Sequence, residues 1–187
     1  MNEKNFDSDF DATLIDFADG RTEYIIGTES PFSTRRSVLI DDHRGNTWVA
    51  TFICPDMGRK TLTRLVAMPN PRRLAAVIRG VLFLGNVDDP ASFEQIAASG
   101  SIQDIRSYPE ENVVVVTTPL RILCLDENGV RWRSHRLALE GVSLGEASGN
   151  LLHATVDNEE THQIDLFINN GKIAHSTFTL PESFYTG

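Results

Sequence analysis

Apolar residues along this chain come in short runs, broken every eight to twelve residues by Gly, Asp, Asn or Pro. That rhythm belongs to many short strands and not to amphipathic helices. Residues 13–18 and 22–26 flank Asp19-Gly20 and predict a hairpin, because Asp-Gly supplies the positive φ angles of a tight turn. Residues 37–41 and 47–54 predict a second hairpin around 42–46. Residues 61–67 alternate and are rich in β-branched side chains, which predicts a strand. Residues 74–78 and 81–84, joined by Arg79-Gly80, predict a third hairpin. One short helix is expected near 90–98, with Asp89 as its cap, Pro90 at its first position and a stripe of Phe93, Ile96 and Ala97. From there strands dominate, over 102–108, 113–117, 121–126, 130–139, 142–146, 151–156, 163–168 and 172–179. The expected organisation is a flexible acidic tail over 1–10, a single all-β domain over 11–180 and a second tail over 181–187.

The strands also repeat. An apolar strand, a polar turn and a glycine recur at 37–45, 121–129 and 163–171, ending on Gly45, Gly129 and Gly171. Gly129 and Gly171 lie 42 residues apart and Gly45 and Gly129 lie 84 apart, so a fourth member is due near residue 87, where 81–89 supplies the strand and turn. Trp48 and Trp132 each follow their glycine by three residues, and Ala174 takes that place in the third segment. A period near 42 suits a four-stranded propeller blade. Over 113–178 the pattern resembles the tryptophan-docking repeats of PQQ-type β-propellers, in which a tryptophan at the end of one blade packs against the next. That resemblance implies about four blade-like units, with Trp48, Trp132, Gly45, Gly129 and Gly171 as structural residues. Repeated antiparallel hairpins in a twisted β-sandwich or meander fit the same spacing.

Composition adds bounds. The 187 residues are 41% hydrophobic and carry a formal net charge of −9, an ordinary soluble composition with material for a core. Charge is uneven: residues 1–30 carry −6, residues 31–90 carry +4 and residues 91–187 carry −7. An acidic chain is unsuited to nucleic acid, whose phosphates need concentrated positive charge. The partner it would suit is a basic protein, and the aspartates placed to meet one are Asp7, Asp9, Asp11, Asp16 and Asp19. The one basic segment, with Arg59, Lys60, Arg64, Arg72, Arg73 and Arg79, is a candidate anion patch or a counterweight to the acidic remainder. No apolar run approaches membrane-spanning length, and the first residues do not form a leader. Cys54 and Cys124 sit inside apolar runs and read as buried thiols, which points to the cytoplasm.

Catalytic motifs are sparse. The sequence has no G-x-x-x-x-G-K-[ST] loop, no G-x-G-x-x-G fingerprint, no G-x-S-x-G elbow and no H-E-x-x-H pair. Paired acids at 41–42, 88–89, 110–111 and 159–160 fall in turn positions, where solvated carboxylates are expected. His153, His162 and His175 fall on three neighbouring strands and could cluster. No cofactor is expected. The reading is a non-catalytic protein-binding or scaffolding module, of the inhibitor or immunity type, for a basic protein. The alternative is a small hydrolase or ligand-binding protein with a site assembled from dispersed loop residues.

Overall fold

A computed structural model describes residues 5–55, 61–181 and 184. They form sixteen strands and one turn of 3-10 helix, with no α-helix among them. The strands are β1 (Asp11–Ile15), β2 (Glu23–Ile26), β3 (Ser33–Asp41), β4 (Thr47–Pro55), β5 (Arg64–Ala67), β6 (Arg73–Ile78), β7 (Val81–Asn86), β8 (Asp89–Ile96), β9 (Asp104–Tyr108), β10 (Val113–Thr117), β11 (Ile122–Asp126), β12 (Gly129–Arg133), β13 (Gly141–Ser148), β14 (Leu151–Asn158), β15 (Glu160–Phe167) and β16 (Ile173–Ser176). They pair into four separate four-stranded sheets, and none closes on itself. The fold is all-β.

Three sheets are antiparallel meanders in chain order: β5–β8, β9–β12 and β13–β16. The first differs, running β1-β3-β4-β2, with β2 parallel to β4. The backbone gathers into two compact units, residues 6–98 holding the first two sheets and residues 99–181 with 5 and 184 holding the others. In the first unit Trp48, Phe52, Leu74 and Phe83 centre one apolar cluster. In the second, Val115, Ile122, Trp132, Leu152 and Ile164 belong to another.

Pattern explains position. The runs Val113–Thr117 and Ile122–Asp126 are apolar at almost every residue and are buried on both faces. By contrast, β14 alternates: Leu152, Ala154 and Val156 are buried, while His153, Thr155 and Asp157 take the polar face. This alternation gives the last sheet one polar side.

Two expectations need correction. Residues 13–18 and 22–26 do not form a hairpin. The Asp19-Gly20 turn exists, with Arg21 N–H donating to Ala18 O at 3.2 Å. Yet β1 pairs with β3 and β2 with β4, at opposite edges of the sheet, so residues 16–22 cross β3 and β4. The expected helix near 90–98 is strand β8. Phe93 and Ile96, three apart, would share one side of a helix; in the strand they face opposite sides and each is buried, while Glu94 and Gln95 between them are exposed. The Phe93 ring joins Trp48 and Phe52, and it lies where a Cβ on Gly85 would stand. Pro90 is tolerated because β8 is an edge strand and needs no N–H on its open side.

Smaller differences follow local chemistry. The strand expected over 130–139 stops at Arg133, where the Ser134 hydroxyl accepts from Ile122 N–H. The expected N-terminal tail is anchored at its end, with Phe10 buried and Asp9 N–H bonded to Pro71 O. Near the C-terminus Leu180 and Phe184 are buried, and the Arg136 guanidinium lies 5.0 Å from the Phe184 ring centre.

Candidate functional site

Four groups of side chains, each within one unit, are candidates. The first is a pair of tryptophan docks. Trp48, on β4, reaches the second sheet, and its Nε1–H donates to Val87 O at 3.2 Å. Trp132, on β12, reaches the fourth sheet, and its Nε1–H donates to Ile168 O at 2.6 Å. In each case the accepting carbonyl follows the third strand of the receiving sheet. Both indoles are almost fully buried. Trp132 packs on Gly171, whose φ is +70° and where an added Cβ would lie 2.5 Å from the ring. Gly45 and Gly129 stand beside the turns after β3 and β11, both at positive φ. The two indoles join sheets and are buried, as is Gly129, whereas Gly45 is exposed and Gly171 partly so.

The second group is the acidic first sheet. Among the described residues, Leu14, Phe17, Tyr24, Ile25 and Phe32 are exposed, leaving only Leu139 and Phe167 as exposed large hydrophobics elsewhere. Phe32 is 83% exposed, Phe17 70% and Ile25 53%. Asp16 and Asp19 lie in the crossover beside Phe17, and Glu29 lies near Phe32, bonded to Arg35 at 2.7 Å. Asp11 bonds the His43 ring at 2.9 Å, which raises the histidine pKa. Asp7 is exposed, and Asp9 is held through its backbone. The sequence marked the acids but not the apolar residues among them; Phe17 and Phe32, in turn segments beside Ala18 and Pro31, were the available signal.

The basic segment is less uniform than its sequence. Arg59 and Lys60 lie outside the described residues. Arg64 opens β5, Arg73 opens β6 and Arg79 takes the β6–β7 turn at φ +49°. Arg72 turns inward and is buried. Its Nε donates to Asp88 at 2.9 Å, and its Nη1 donates to Asp42 O at 3.0 Å and to Asp9 O, while Nη2 pairs with Asp88. The bond from Arg72 pulls the Asp88 pKa below its ordinary value. Arg72 therefore ties three turns together.

The fourth group lies on the polar face of the last sheet. Register places His153 opposite Asp165 and Asp165 opposite His175. His153 Nδ1–H donates to Asp165 Oδ1 at 2.7 Å, and His175 Nδ1 lies 4.0 Å from Oδ2. His162 faces the other way, stacked on Phe178 with ring centres 4.6 Å apart. Two of the three histidines thus converge, on a carboxylate that the sequence did not single out. His153 and Asp165, but not His175, border a shallow depression of about 270 Å³ that includes Ser143, Gly145, Thr155 and Gln163. Among the described residues no hydroxyl hydrogen-bonds the His153 ring, and no three His, Cys, Asp or Glu side chains are placed to hold a metal ion.

The cysteines are buried, and burial pushes the Cys124 thiol up to about 12, far from a reactive thiolate. No described helix is long and apolar enough to cross a membrane. No model of a protein family matches the chain, and a search of curated proteins finds no match. The class that can be stated is an all-β protein of four four-stranded sheets.

Proposed function

We propose that this chain is a non-catalytic protein-binding module, an inhibitor or immunity-type partner that engages a basic protein through its first sheet. The observation that carries this reading is the concentration of exposed Leu14, Phe17, Tyr24 and Ile25 among acids in residues 1–30, of charge −6, with exposed Phe32 just beyond them. Exposed large apolar side chains gathered in one sheet and interspersed with acids point to an interaction surface. The acids would select a basic surface and the rings would contribute burial. The test immobilises the wild type and Phe17→Ser/Phe32→Ser and passes native host extract over both at low and raised salt. A basic protein held by the wild type, released by salt and not held by the variant is the expected result. Identical retention by both, or retention indifferent to salt, overturns the reading.

Within this proposal the four sheets act as blades of a propeller-like scaffold, which the two equivalent tryptophan bonds support. A crystal structure with the sheets stacked and not arranged about one axis would overturn it. The buried thiols favour the cytoplasm as compartment, which localisation of a tagged chain would test. A second reading, a ligand-binding or hydrolytic site, rests on the His153–Asp165 pair beside its depression. It requires a ligand whose binding or turnover is lost in His153→Ala and Asp165→Asn while folding is kept.

A further inference from the structure

We infer that the basic partner adds to the first sheet as an extended strand along the open edge of β1, an inference that rests on the protein-binding reading above. Four sheets have eight edges, and an open edge presents unpaired N–H and C=O groups that a second strand can take up. Proteins commonly blunt such edges with proline, lysine or arginine, bulges, short strands or a covering element. Seven of the eight edges here carry such a device. β8 contains Pro90 and a register shift. β12 contains a shift and carries Arg131 and Arg133. Shifts also interrupt β13 and β16. β5 has four residues and begins with Arg64. β2 has four residues and runs beside β8, while β9 runs beside β13.

β1 has none of them. Its five residues, Asp-Ala-Thr-Leu-Ile, pair with β3 without a shift, contain no proline or basic residue, and meet no other strand on their outer side among the described residues. Thr13 and Leu14 are exposed. The occupant follows from charge. Residues 7–19 hold Asp7, Asp9, Asp11, Asp16 and Asp19 and no lysine or arginine. A second copy pairing β1 with β1 would bring these aspartates together, and like charges across a strand pair are unfavourable. An extended segment with alternating lysine or arginine places cations beside the aspartates and its backbone in the open ladder.

The probe is a synthetic peptide of about ten residues alternating lysine and valine, long enough to span the edge. Controls are a glutamate–valine peptide and a lysine–glycine peptide of equal positive charge. Binding is followed by NMR, with amide hydrogen exchange read along β1. Because successive residues direct their N–H groups to opposite sides of a strand, one of Thr13→Pro and Leu14→Pro disturbs the β3 ladder and the other removes only an outward donor. The expected result is that the lysine–valine peptide binds best and slows exchange in β1, and that the folded proline variant binds about tenfold more weakly. Equal binding of both lysine peptides, undiminished by the folded proline variant, would leave the basic-partner reading intact and overturn the edge-strand mode. Failure of both lysine peptides to bind would overturn both. A dimer of the chain that is lost in the folded proline variant would overturn the choice of occupant.

Discussion

The dock of Trp132 on Gly171 gives a sharp stability prediction. In Gly171→Ala the new methyl would lie 2.5, 2.7 and 2.9 Å from Cε3, Cδ2 and Cζ3 of the indole, a rigid ring that is itself buried. An L side chain at φ +70° costs about 1 kcal/mol before any contact is considered. Moving the ring breaks the Nε1–H bond to the buried Ile168 carbonyl, which adds about 1 to 3 kcal/mol. A destabilisation of about 3 kcal/mol is therefore expected. Gly149→Ala supplies the control: its φ is +58°, with nothing within 4 Å of the new methyl, so only the backbone cost of about 1 kcal/mol remains. Urea denaturation followed by far-UV circular dichroism measures both. A cycle with Trp132→Ala isolates the ring, since Gly171→Ala should cost about 1 kcal/mol once the indole is gone. If Gly171→Ala costs no more than Gly149→Ala in the wild-type background, the dock does not depend on that close approach and the argument fails.

Other outcomes follow from the turn that Arg72 ties down. Asp88→Asn leaves the buried guanidinium with a weaker acceptor and should destabilise by about 2 kcal/mol, measurable as a lowered urea midpoint. The Asp42 pKa is lowered to about 2, first by the Asn46 side chain and then by the Asn46 and Arg44 backbone N–H groups. Its folded pKa lies below its ordinary value of 3.8, so the stability it contributes is present above about pH 4 and is lost as pH falls toward 2. Asp42→Asn should flatten the pH dependence of stability in that window, and an unchanged slope would refute the assignment.

Sequence reasoning succeeded where one periodicity had one meaning. The valine run at 113–116 and the alternation at 151–156 could be little else than strands. It failed where a local signal is true locally and silent about distance. Asp19-Gly20 does turn the chain, but Glu23–Ile26 then takes a parallel place at the far edge, a choice made by the sheet and not by the turn. Phe93 and Ile96 carry helical spacing, which a strand with one buried residue on each face satisfies equally well. Asp165 remained hidden because only register brings it between His153 and His175, residues 12 and 10 positions away along the chain. Arg72 read as one of a basic row, and its inward turn depends on the Asp88 carboxylate and on the backbone carbonyls of Asp9 and Asp42, three separate segments.

The twin docks also distribute the chromophores. The chain has two tryptophans, and each compact unit holds one of them, buried against a backbone carbonyl of its own unit. Tryptophan emission in Trp48→Phe therefore comes from residues 99–187 alone, and in Trp132→Phe from residues 6–98 alone. The molecule carries a private optical signal for each half of its chain, by which the melting of one unit can be timed against the other.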